Sequence, residues 1–176
     1  PDGGTHQALE DIGLMRVMPN MDVLSPCDAL EAKKATLLLA KTGRPGYLRL
    51  AREKTPIITT EETPMQIGKA EIYWLPEVGL AQVGIIATGS LVHRAIVAAK
   101  ELEAEGIKIK VMNLSTIKPI DINAVVALAK EAKAIVTVEE HQVMEGMGSA
   151  AAEVLAKNYP VPIEFIGIQD KFGQSG

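Results

Sequence analysis

Three stretches of this sequence carry residues whose types and spacing could do chemistry. The first is Asp2-Gly3-Gly4-Thr5-His6-Gln7. It joins a turn that lets the backbone approach a ligand closely to a carboxylate, a hydroxyl, an imidazole and an amide. Asp2 could accept a hydrogen bond from a sugar hydroxyl. His6 stands where a helix would begin, and the positive end of a helix dipole favours neutral imidazole. The plainer use of the same residues is helix capping by Asp2 and Thr5, with His6 an ordinary surface side chain. The second is Arg52, in Arg49-Leu50-Ala51-Arg52-Glu53. An Arg at the C-terminal edge of a parallel sheet can reach a phosphate in the crevice there. It can equally make a surface ion pair, for example with Glu53.

The third stretch is Glu139-Glu140-His141-Gln142, running into Gly146-Met147-Gly148. Glycines ahead of a helix resemble a phosphate cradle. This one lacks the third glycine and later acid of a dinucleotide fingerprint, and its two carboxylates would repel a phosphate. A contact surface for another domain is the better reading. His93 falls on the polar face of a helix and takes no role. Three His, one Cys and scattered acids have no metal-ligand spacing. Ser90, in Thr88-Gly89-Ser90, reads as a helix N-cap, because the Gly-x-Ser-x-Gly of a nucleophile elbow is absent.

The elements that must position these residues alternate. A short helical pattern ends at Arg16, and Met21–Leu24 reads as a strand. Ser25, Pro26 and Asp28 resemble N-cap, N1 and N3 of a helix to about Lys41, stopped by Gly43. Tyr47–Leu50 reads as a strand. Residues 53–81 break the rhythm with Pro56, Pro64 and Pro76, as a linker holding one or two short strands would. Then come a strand at Val83–Ala87, a helix at Leu91–Glu105, a strand at Ile107–Met112 and a helix from Ile122 to Ala132 capped by Asp121. A strand at Ala134–Val138, a helix opening at Gly148 or Ser149, and a strand at Ile163–Ile166 complete the series. Such alternation predicts an α/β chain with a mostly parallel sheet covered on both faces.

Composition limits the partners. The chain has 176 residues, 47% of them hydrophobic and 3% aromatic, so aliphatic side chains and Met must fill its core. A net charge of -4 offers no basic stripe for nucleic acid. The sole cysteine, Cys27, cannot form an internal disulfide, which fits a reducing, cytoplasmic setting. No apolar run reaches the roughly 18–20 residues of a membrane span. Neither end looks natural, since residue 1 is Pro and the last residues are loop chemistry, so further sequence is expected on both sides.

Several of these stretches together resemble the transketolase family. Asp2–Gln7 is similar to its Asp-Gly-Pro-Thr-His-Gln loop, and Arg16–Met21 to its Arg-x-Ile-Pro-Asn segment. Ser25-Pro-Cys-Asp-Ala-Leu-Glu31 is similar to its Arg-Pro-Ala-Asp-x-x-Glu, and Leu50-Ala-Arg-Glu53 to its Leu-Ser-Arg-Gln. Ile86–Ser90, Lys118–Asp121, Val138–His141 and Gly146–Ser149 follow in family order. Departures are Gly4 where the family has Pro, and Glu145-Gly146 where it has Gly-Gly.

The resemblance implies a division into residues 1–52, the end of a pyrimidine-binding domain; 53–81, a linker; and 82–176, a three-layer C-terminal α/β domain. It implies that Asp2 bonds a sugar hydroxyl, that His6 sits near the cofactor and the reacting two-carbon fragment, and that Arg52 holds a sugar phosphate. The family moves a two-carbon ketol unit between sugar phosphates with thiamine diphosphate and Mg2+, held between subunits. The glutamate that activates the cofactor and the diphosphate-binding domain lie outside this sequence. The chain is therefore expected to be inactive alone, to bind no cofactor or metal alone, and to need an N-terminal section or subunit. An unfinished sheet with an apolar face also predicts a homodimer. Deoxyxylulose phosphate synthases carry Thr-His-His where this chain has Thr5-His6-Gln7, and 2-oxo acid dehydrogenase β subunits lie further off. A non-catalytic oligomerisation module is the alternative of another class. If residues 1–52 pack onto another chain with Asp2, His6 and Arg52 facing one cleft the enzyme reading gains, and if the three scatter the module does.

Overall fold

A computed structural model describes residues 3–174. The chain forms two sheets. The larger has five strands in the order β3-β5-β4-β7-β8: β3 (Glu71–Trp74), β4 (Val83–Ala87), β5 (Ile109–Asn113), β7 (Ile135–Gln142) and β8 (Ile163–Ile168). All neighbours in it are parallel except β3, which pairs antiparallel with β5 and closes one edge. Alternate side chains of its central strands point to opposite faces. Ile85, Ala87 and Val111 pack with Val92, Ala95 and Ala99 of α3 (Leu91–Ala104). Ile86 and Met112 pack with Val125 and Leu128 of α4 (Ile122–Ala132) and with Ala151 and Leu155 of α5 (Met147–Asn158). The result is the expected helix–sheet–helix sandwich.

The smaller sheet runs β2-β1-β6. The N-terminal part supplies β1 (Asp22–Leu24) and β2 (Gly46–Leu48), which are parallel. The third strand, β6 (Thr116–Lys118), comes from the C-terminal part and runs antiparallel to β1, pairing Leu24 with Thr116. No local pattern in the sequence predicts a strand there. The two parts also share their cores, because Ile12 and Val23 are buried with the α4–α5 side and Cys27 with the α3 side. The linker is anchored as well: β3, which lies inside residues 53–81, is an integral edge of the larger sheet.

Two caps differ from expectation. α2 (Ala29–Thr42) is capped by Asp28, whose Oδ1 accepts from Glu31 N–H at 2.9 Å, so neither Ser25 nor Pro26 is part of the helix. Glu31 reaches back to accept the N–H of Cys27 at 2.6 Å, close to a capping box. The other Asp28 oxygen accepts the N–H groups of Ile58 and Thr59 at 2.8 and 2.7 Å. Burial drives this carboxyl's pKa upward, but the hydrogen bonds from Glu31, Thr59 and Ile58 outweigh it and leave the pKa below its ordinary value. Ser90 stands at the N-cap position of α3 as expected, but its side chain makes no capping bond there, and its hydroxyl donates to Glu140 Oε2 at 3.4 Å. Asp121 caps α4 as expected, accepting from Ala124 N–H at 3.0 Å.

Candidate functional site

The N-terminal loop turns once as a short 3-10 helix, Gly4–His6, and continues into α1 (Asp11–Arg16). Among the described residues no side chain caps either helix. The Thr5 hydroxyl instead lies 3.0 Å from His6 Nδ1, and His6 is exposed. The chain beyond β2 passes through Arg49 to Arg52. These two segments face each other across a cleft of about 890 Å³, whose lining includes His6, Asp11, Tyr47, Arg49, Arg52 and Glu140. Two candidates widely separated in sequence, His6 and Arg52, therefore share one cleft. Asp2 lies outside the described residues.

Sequence reasoning gave Arg49 no role, yet it organises the cleft. Its Nε donates to both oxygens of Asp11, at 3.0 and 3.3 Å, and Nη2 donates to the Ala8 carbonyl at 2.9 Å. Arg49 thus ties the His6-bearing loop to the strand that leads to Arg52. Tyr47 donates its O–H to Asp11 Oδ2 at 2.6 Å. Burial, then the hydrogen bond to and charge of Asp11, push the Tyr47 pKa up to about 12, so the phenol stays neutral. Tyr47 lies in β2 and Arg49 just beyond it, in extended chain whose Arg49 N–H donates to the Leu24 carbonyl, so the two side chains share a face.

The Glu139–Gln142 stretch is strand rather than loop, because β7 continues through it. Strand alternation sends its two carboxylates opposite ways. Glu140 is exposed and faces the cleft. Glu139 is 2% exposed and faces the start of α5, where it accepts the N–H groups of Met147 at 2.6 Å and Gly148 at 2.8 Å. The apparent phosphate cradle is thus filled by the chain's own carboxylate. A Cβ at Gly146 or Gly148 would collide with Glu139 or Thr137, which explains both glycines. Burial raises the Glu139 pKa, opposed by the N–H groups of Gly148 and Met147 and by the neighbouring His141 and Arg16.

His141 is fully buried and joins the two parts of the chain. Its Nδ1 lies 2.7 Å from the Gln142 carbonyl, which can only accept, and its Nε2 receives the Gly13 N–H at 3.4 Å. Gln142 N–H donates to the Leu9 carbonyl at 2.7 Å, and Arg16 donates to the carbonyls of Glu145 and Gly146 at 2.7 and 3.0 Å. The stretch is thus packed against the Leu9–Arg16 segment of the same chain. Among the described residues no group of three or more His, Cys, Asp or Glu side chains could hold a metal ion. No helix of the described residues is long and apolar enough to cross a membrane.

Comparison with known proteins gives a consistent result. The sequence profile of the transketolase C-terminal domain matches residues 73–176, and that of the transketolase pyrimidine-binding domain matches residues 1–57. The 6-deoxy-6-sulfo-D-fructose transketolase subunit SqwH of Clostridium sp. (strain MSTE9) is 41% identical over 99% of this chain and 53% of its own length. One subunit of the apulose-4-phosphate transketolase of Phocaeicola vulgatus is 36% identical over 96% of this chain and 53% of its own length. A solved structure described as a split gene transketolase, inactive beta4 tetramer, superposes with a TM-score of 0.91 at 39% identity, covering 97% of this chain and 56% of that one. This chain thus spans about half the length of these relatives.

Proposed function

This chain belongs to the transketolase family, and on that premise we propose that it is the C-terminal section or subunit of a transketolase-type transferase. The complete enzyme would move a two-carbon ketol unit between sugar phosphates. Residues 1–52 would close a pyrimidine-binding domain, 53–81 would link, and 82–176 would form the C-terminal domain. The observation that carries this reading is the shared cleft of His6 and Arg52, with Arg49 holding its two walls together.

Thiamine diphosphate would supply the carbanion chemistry in the complete enzyme. An N-terminal section or subunit would hold its diphosphate end and the divalent ion. This chain's part is to bind and orient. Arg52 would hold the terminal phosphate of the sugar, His6 would hydrogen-bond the oxygen beside the reacting carbon, and Asp2 would take a sugar hydroxyl. Alone the chain would be inactive and would bind no cofactor. It would work in a reducing cytoplasm and form at least a homodimer, consistent with the β4 assembly named for the split relative.

The test is reconstitution with a complementary N-terminal section, read as ketol transfer. The chain alone should be inactive and the pair active. Arg52→Met should raise KM for the phosphorylated acceptor about 10- to 100-fold with a smaller effect on kcat. His6→Ala should lower kcat about 100-fold. Folded variants that keep wild-type kcat/KM would overturn the reading.

A further inference from the structure

Arg49 has donors to spare, and how they are shared points to a second task. A guanidinium carries five N–H donors in a fixed fork. Nε is held by Asp11 and Nη2 by the Ala8 carbonyl, so the head group is fixed before any ligand arrives. Among the described residues, Nη1 faces Glu140 Oε2 at 3.5 Å, beyond ordinary hydrogen-bond length. The two side chains differ sharply in exposure, 14% for Arg49 against 51% for Glu140. The further contact of Glu140, from the Ser90 hydroxyl, is also long at 3.4 Å. A firmly held cation is thus covered by a loosely held anion, on the wall of the cleft that Arg52 also lines.

We propose that Arg49 is a second oxyanion-binding residue of this cleft and that Glu140 is its displaceable cover. A tetrahedral oxyanion at the end of a substrate, a phosphate monoester or a sulfonate, takes the Nη1 donors as the Glu140 carboxylate swings into solvent. Nothing covalent changes. The fork is preorganised, so the anion spends little on ordering it, and a charge-assisted contact of normal length replaces a long one. Glu140 comes from β7, so the C-terminal domain sets how readily an anion enters a cleft built by the N-terminal part. The proposal rests on the transketolase reading for the identity of the substrate, but the anion site can be measured without turnover.

Saturation-transfer NMR titrations of this chain with methyl phosphate and with methanesulfonate test it. Arg49→Met should weaken binding about tenfold. Glu140→Gln, an exposed change that keeps the side chain's shape, should tighten binding about threefold by removing the competing charge. The anion whose affinity shifts more is the one the site favours. If Glu140→Gln and Arg49→Met both stay within twofold of wild type while Arg52→Met loses binding, the proposal fails and the transketolase reading stands. If the wild type binds neither anion below roughly 50 mM, the proposal fails too, and only ketol transfer by the reconstituted pair then decides the wider reading.

Discussion

Glu139 and Glu140 are neighbours in sequence with opposite tasks, and the difference is made by one half-turn of a strand. Glu139 closes the start of α5 from inside the protein, whereas Glu140 stands over Arg49 at the cleft. Burial raises the Glu139 pKa above its ordinary 4.5. A carboxyl whose folded pKa is raised binds its proton more tightly in the native state. Its contribution to stability is therefore greatest below the unfolded pKa and declines as pH climbs from about 4.5 through the folded value. Glu139→Gln should remove that decline. The amide can accept only one of the two N–H groups, so we also expect a loss of about 1–3 kcal/mol at neutral pH. Urea midpoints of both proteins from pH 4 to pH 8 are the measurement, and parallel pH profiles would refute the assignment. The sequence held the two glutamates but not their directions, because those depend on β7 continuing to Gln142 rather than ending at Val138. Arg49 was overlooked for a similar reason: its partners Ala8, Asp11 and Glu140 come from distant segments that no local pattern brings together.

Among the elements, α2 shows how one side chain can serve two structures. Asp28 ends the extended segment after β1, caps α2, and clamps the linker through Ile58 and Thr59, whose hydroxyl also donates to it at 2.8 Å. Asp28→Ala should cost about 2–4 kcal/mol, more than a surface cap, since it orphans buried N–H groups as well. It should also speed proteolysis between residues 53 and 64. The native Asp28 pKa lies below its ordinary 3.8, so the stability it supplies is present above that value and is lost as pH falls through the native one. The stability gap between wild type and Asp28→Asn should accordingly narrow in acid, and a gap constant from pH 7 to pH 2 would count against the clamp. Helices and buried strands were legible because their periodicity is local. The N-cap of α2 was misplaced by three residues because Ser25, Pro26 and Asp28 each suit a helix start, and the choice is made by the linker that docks on Asp28. β6 was invisible because its three residues are strand only in the company of β1.

At the scale of the molecule, the two parts form a continuous structure. β6 completes the N-terminal sheet, Ile12 and Val23 are buried with α4 and α5, and His141 receives the Gly13 N–H. These contacts fix α1 against the C-terminal domain and so fix what its outer face presents. Leu14, Val17 and Met18 lie three and four residues apart, on one side of α1 and its terminal turn, and they are 58%, 67% and 49% exposed. An apolar row held rigidly at the surface loses little entropy on being covered. It is therefore the face on which we expect the proposed homodimer to close. Light scattering coupled to size-exclusion chromatography at micromolar concentration should give at least twice the monomer mass. Val17→Asp should return it to 18.8 kDa with little change in unfolding midpoint, since a side chain so exposed adds little to the fold of one copy. A dimer that survives Val17→Asp would move the interface elsewhere, and a wild type that elutes only as monomer would remove the homodimer from the proposed assembly.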